Sequence, residues 1–140
     1  MIVTADDFGA AREVNEAVEK AHRGGILTAA SLMVAAPACA DAVAKAKSMP
    51  SLGVGLHIVL VEGRPILPPD SIPDLVDAGG FFRNDMVRAG VAMFFRPAVR
   101  KQLAKEIEAQ FEAFRRTGLP LDHVNAHKHF HLHPTIANTI

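Results

Sequence analysis

Four short apolar runs organise the chain: 1–5 (MIVTA), 28–34 (TAASLMV), 52–60 (LGVGLHIVL) and 121–126 (LDHVNA). Each is parted from the next by a stretch long enough to hold a helix. Antiparallel neighbours can be joined by a tight turn, whereas parallel neighbours need a crossover of about a dozen residues or more. The spacing therefore calls for parallel pairing and an α/β class. The intervening segments agree. Val14, Ala17, Val18 and Ala21 recur at helical spacing within Ala11–Arg23, and Gly24-Gly25 stops that helix. Pro37 opens an Ala-rich helix reaching Ser48, and Asp85–Phe95 reads as a short helical piece. Pro97–Thr117 carries Leu103, Ile107, Phe111 and Phe114 on one side and is ended by Gly118-Leu119-Pro120. Between these, Glu62–Asn84 has no period and contains Pro65, Pro68, Pro69 and Pro73. Loops of that length are lids or binding loops, or else plain surface connections.

Four βα units make half of an eight-stranded barrel, or a sheet with an exposed edge. The chain opens inside a strand, and Pro134–Ile140 reads as the first turns of a further helix. The expectation is one domain over residues 1–140, a fragment or an unusually short member of a longer family. Two copies pairing as a homodimer would be one way to rebuild the missing wall.

Composition narrows the function classes. Fifteen Lys and Arg balance fifteen Asp and Glu, so the basic footprint of a dedicated nucleic-acid binder is absent. With 49% hydrophobic residues the chain is not a disordered tail. The most apolar stretch, Ala29–Ala40, is broken by Ser31 and Pro37 and is too short for a membrane helix. Cys39 is the one cysteine, so no internal disulfide forms. The expectation is a soluble, cytoplasmic, globular chain.

Polar clusters fall at three strand ends: Asp6-Asp7 after the first run, His57 within the third, and His127, His129, His131 and His133 after the fourth. In parallel α/β architectures that edge collects ligands and active sites. Each cluster also has a plainer explanation. Asp at a strand-to-helix junction caps helices. A histidine on an apolar strand is often a satisfied core residue. Alternating histidines can be a polar strand edge. Adjacent Asp residues on a regular strand point to different faces, so Asp6 and Asp7 could do different jobs, with Gly9 permitting a tight turn nearby. Gly53 and Gly55 beside His57 mark close approach of backbone or ligand. In an extended chain the four alternating histidines share one side but span roughly 20 Å, so only one or two could reach a common ion. His22 and His123 lack such context and read as structural or solvated. One carboxylate and two imidazoles form a common three-ligand set for a divalent metal, which polarises a carbonyl and acidifies a bound water.

At these residues the sequence resembles the YdjC-like carbohydrate deacetylases, the family that includes chitooligosaccharide deacetylase. The matching stretches are Thr4–Gly9 (TADDFG), Val14-Asn15, Gly24–Thr28 (GGILT), Gly55-Leu56-His57 with Glu62-Gly63, and Asn125–His131 (NAHKHFH). The last block is most similar to the hopanoid-biosynthesis-associated subgroup. The resemblance implies a distorted (β/α) barrel of the glycoside hydrolase/deacetylase type, of which residues 1–140 are the N-terminal half. It further implies one divalent ion, Mg or Zn, on Asp7, His57 and His127, with Asp6 as general base. The implied reaction is hydrolysis of an N-acetyl group from an amino sugar or a glycolipid-linked amino sugar. His131 or His129 is the candidate acid for the departing amine. Family members are about twice as long, and they carry an Asp where Asn125 stands. Two alternatives stay open: another metal hydrolase on this scaffold, acting on glycosides or phosphates, and a non-catalytic partial barrel that binds a metal or a partner.

Overall fold

The computed structural model describes residues 1–140. Strand β1 (Thr4–Phe8) leads through α1 (Arg12–Gly24) to β2 (Ala29–Leu32), then through α2 (Cys39–Lys47) to β3 (Gly53–Ile58). A long connection follows, then α3 (Met86–Phe95), α4 (Pro97–Arg116), β4 (Val124–Ala126) and α5 (Pro134–Ala137). The four strands form one parallel sheet in the order β1-β2-β3-β4. A doubly wound sheet reverses its strand order at a switch point. Here the order never reverses, as in a stretch of barrel wall, and the pairing is parallel throughout, as the spacing of the apolar runs calls for.

The first strand lies later than the apolar run suggests. Pairing begins at Thr4↔Ala29 rather than at Met1, and Met1 and Ile2 are exposed. The strand therefore includes both aspartates. Its register slips between Ala5↔Ala30 and Phe8↔Leu32, where three steps on β1 oppose two on β2. Asp7, the extra residue, has φ +60°. A bulge of this kind re-aims side chains beside active sites. The expected divergence of Asp6 and Asp7 to opposite faces is overturned for that reason: Ala5 and Phe8 both face the helices, and the two carboxylates between them share the other face.

The core lies between sheet and helices, with Phe8, Leu32, Leu56, Ile58, Leu103 and Phe114 essentially inaccessible. Asn15, wholly buried on α1, holds the turn after the bulge. Its Oδ1 accepts from the Gly9 amide at 2.8 Å, and its Nδ2 donates to the Ala38 carbonyl and to Asp41 Oδ2. Gly9 has φ +99°, which a side chain would strain. Gln110 does the equivalent for β3, donating to the Val59 carbonyl at 2.7 Å and accepting from the Val59 amide at 3.0 Å.

The long connection is neither a free lid nor a plain excursion. Ile72, Leu75, Val76 and Phe82 are buried in the core, and its entry is tied to α4 by Glu106. That carboxylate, fully buried, accepts from the amides of Ile66 and Leu67 and from Gln110 Nε2. Burial pushes the Glu106 carboxyl above its ordinary value of 4.5, with the three donors pulling the other way. An acid whose folded pKa is raised holds its proton longer in the folded chain. Its contribution to stability is therefore full below the unfolded pKa and declines as pH rises through the folded one. Glu106→Gln is expected to flatten that decline in urea titrations run from pH 4 to 8. It also turns an NH2 group towards a backbone donor, at a cost of about 1–3 kcal/mol.

Candidate functional site

Three elements deliver the site. The β1 bulge presents Asp7, the end of β3 presents His57, and the residue after β4 presents His127. Asp7 Oδ1 lies 3.2 Å from His57 Nε2 and 3.1 Å from His127 Nδ1, and the two ring nitrogens are 3.3 Å apart. His57 is buried at 2% exposure, His127 is half-buried, and the Asp7 carboxylate is open to solvent on one side. Zinc bonds to nitrogen and oxygen run about 2.0–2.2 Å. Three donors about 3.2 Å apart are spaced as the corners of such a coordination shell. They are also an uncomfortable group by themselves, since imidazole nitrogens and a carboxylate oxygen converge with few protons to share. The donor set and its spacing fit a divalent cation.

Asp6 stands beside this triangle. Its Oδ1 accepts from Asn125 Nδ2 at 2.7 Å and lies 3.8 Å from His57 Nδ1. Register explains the placement, because β3 and β4 align His57 with Asn125.

The histidine block does not continue as a strand. His127–Leu132 is a pair of tight helical turns in which Lys128 and His129 have φ +56° and +54°. The alternation therefore never acts as a strand repeat, and of the four histidines only His127 joins the triangle. His129 and His131 stack edge to face with centroids 6.0 Å apart. His133 accepts from the Thr135 amide at the start of α5 and packs on Phe94 and Phe130. His131 Nδ1 is buried with no hydrogen-bond partner.

All four non-glycine residues with positive φ lie at this edge: Asp7, Glu62, Lys128 and His129. Such conformations cost about 1–3 kcal/mol each and cluster where function requires them. Lys128 reaches across to Glu62 at 3.1 Å, joining the connection after β3 to the turn after β4.

The glycines of β3 answer to neighbours other than a ligand. A side chain at Gly53 would strike the Asp122 carboxylate at 2.9 Å, and one at Gly55 would strike His123 at 2.5 Å. The His123 ring crosses Gly55 so that its Nε2 meets Ser31 Oγ at 3.0 Å, while Nδ1 meets Asp122 Oδ2 at 2.9 Å. This Ser–His–Asp chain has the connectivity of a hydrolase triad, but Ser31 is completely buried. No substrate can reach its hydroxyl, and the chain braces the sheet. His22 is structural too, bonded to the Leu27 carbonyl and to Ser51 Oγ. Sequence reasoning assigned no role to the side chains of Asn15, Ser31 and Gln110, each of which bonds a partner far along the chain, 23, 92 and 51 residues away.

Four parallel β/α units thus gather an Asp-His-His cluster at the carboxyl ends of their strands, and this combination defines the class of the chain. The chain matches the YdjC-like protein family over residues 1–140, and it belongs to that family. A carbohydrate deacetylase of Brevibacillus brevis is 40% identical over 136 residues, which cover 97% of this chain and 52% of the relative. A carbohydrate deacetylase of Vibrio cholerae is 35% identical over 140 residues, 100% of this chain and 53% of the relative. A crystal structure from Enterococcus faecalis V583, described as a candidate cellobiose-phosphate cleavage protein, superposes with a TM-score of 0.85 at 28% identity. It aligns with 99% of this chain and 52% of its own. The chain thus spans about half the length of the relatives it matches. No helix is long and apolar enough to cross a membrane.

Proposed function

We propose that this chain carries the metal-binding and proton-accepting part of a carbohydrate N-deacetylase site. The observation that carries the reading is the convergence of Asp7, His57 and His127 to within hydrogen-bonding distance of one another, from strand ends 50 and 70 residues apart in sequence. These three residues would hold one divalent ion, Mg or Zn. When bound, such an ion polarises an amide carbonyl and lowers the pKa of water.

The remaining work falls to the chain's own groups. Asp6 has one oxygen held by Asn125 and about half its side chain open to solvent, at 49% exposure. Its role in this reading is to accept the proton of the water that attacks the acetamide carbonyl. As the C–N bond breaks, the amine needs a proton and acetate leaves. His131 is the donor assigned to that step, through its Nε2, since its Nδ1 is buried. In this reading the substrate is an N-acetylated amino sugar, and the relatives named carbohydrate deacetylases support a carbohydrate carrying an acetyl group.

The test is acetate release from N-acetylated mono- and oligosaccharides in the presence of a divalent metal. Asp6→Asn is expected to lower kcat by about 10²–10⁴-fold, while the metal content per chain stays unchanged. Turnover by Asp6→Asn near that of the unmodified chain would remove the base assignment. The Enterococcus faecalis relative, with its cellobiose-phosphate description, favours a second reading on the same scaffold. In that case a mixed panel would yield free sugar or phosphate without acetate.

A further inference from the structure

Asn125 is neither a ligand nor a base in this reading, yet its side-chain amide joins the two. Nδ2 donates to Asp6 Oδ1 at 2.7 Å, and Oδ1 lies 2.7 Å from His57 Nδ1. The orientation of this amide is decided by Asp6. A carboxylate accepts hydrogen bonds and gives none, so the end of Asn125 that faces it is the NH2 group. The end facing His57 is then the carbonyl oxygen, an acceptor, and His57 Nδ1 must carry the proton. In a neutral imidazole this leaves the lone pair on Nε2. Nε2 is the atom that faces Asp7 Oδ1 at 3.2 Å and His127 Nδ1 at 3.3 Å. The opposite tautomer would need the amide turned over, with its oxygen against a carboxylate oxygen. His57 is buried, so bulk water cannot take the place of Asn125.

We propose that Asn125 is a positioning residue that locks His57 in its Nδ1–H tautomer, using Asp6 as the reference, so that one neutral side chain sets both the ligand lone pair and the base. The proposal rests on reading Asp7, His57 and His127 as a cation site, and its test separates the two. Partners that hold the non-ligating nitrogen of a metal-binding histidine typically account for 10–100-fold in metal affinity.

The first readout is the long-range ¹H–¹⁵N spectrum of the full chain, treated with chelator, at pH 8. His57 is assigned by comparison with His57→Gln. The expected result is a protonated Nδ1 and a bare Nε2, and a proton on Nε2 overturns the proposal. The second readout is Zn²⁺ affinity by calorimetry. Asn125→Leu removes the acceptor and is expected to lower affinity about 10–100-fold. Asn125→Asp still accepts from His57 Nδ1, while its other oxygen takes the place of the donor 2.7 Å from Asp6 Oδ1 and must share a proton with it or draw apart. The tautomer is expected to be retained, and Zn²⁺ held within a few-fold of the unmodified chain. A folded Asn125→Leu that binds Zn²⁺ normally overturns the proposal, as does an Asn125→Asp that loses the tautomer. If Asn125→Leu does not fold, the spectrum of the unmodified chain and the Asn125→Asp variant still decide. An unmodified chain with the expected tautomer but no affinity for Zn²⁺ supports the role of Asn125 and overturns the cation site.

Discussion

Asp7→Ala and His57→Ala are each expected to abolish tight binding of a divalent ion, read as metal content per chain after dialysis. Asp7 supplies the one anionic oxygen of the triangle, and the bulge at φ +60° places it there. Without it two imidazoles remain, too few to enclose a cation. His57 supplies the most buried of the three donors. Loss of a group that merely supports a ligand costs up to about a hundredfold in affinity, so loss of a ligand should exceed that. Deacetylation should fall with the metal. His133→Ala is the matched control, since His133 lies in the same histidine block but packs on Phe94 and Phe130. It should keep one ion per chain. An ion retained by both site variants, or lost equally from His133→Ala, would sink the assignment of the triangle.

How far the residues announce this site depends on the range of the interaction involved. The helix over Pro97–Arg116 and the parallel strand order are legible because periodicity and crossover length act locally. Helix α3 begins one residue after Asp85, whose side chain caps it through the Arg88 amide, within a residue of the expected span. The bulge at Asp7 is not legible. Asp-Asp-Phe-Gly reads equally well as a straight strand end, and only the register against β2 shows the extra residue. The alternating histidines mislead for a related reason. A repeat of two suggests an extended chain, but Lys128 and His129 adopt left-handed backbone, which the surrounding fold must impose. The glycines of β3 are legible as close-approach positions, though not for what approaches, since Asp122 and His123 are about 70 residues downstream. Convergence at strand ends was available from the sequence. Which nitrogen of which histidine faces Asp7 was not.

Gly55→Ala should be among the most destabilising single substitutions in the chain, although it adds one methyl group. The new Cβ would sit 2.5 Å from the His123 ring and equally close to the His123 carbonyl oxygen. The ring could rotate away, but only by releasing Ser31 Oγ, which is wholly buried and has no other partner to turn to. The carbonyl has less freedom still, because it accepts the Leu56 amide at 2.9 Å in the ladder between β3 and β4. Overpacking costs about 1–3 kcal/mol, and an orphaned buried hydroxyl adds about 1–3 kcal/mol. Together these should lower Tm on the order of 10 °C. The damage should also reach the site, because β4 has three residues, pairs on one side only, and leads directly into His127. Zn²⁺ affinity should therefore fall along with stability. Gly24→Ala is the control: nothing lies within 4 Å of a Cβ there, at the end of α1, and the change should leave Tm unchanged or slightly raised. A Gly55→Ala protein that melts with Gly24→Ala would show that the His123 ring does not depend on the empty side of β3. Making Gly55→Ala in a His123→Ala background separates the two sources of strain. There the ring is gone and Ser31 is already unpaired, so the Tm lost on adding Gly55→Ala measures the carbonyl contact, and its difference from the loss in the unmodified chain measures the ring.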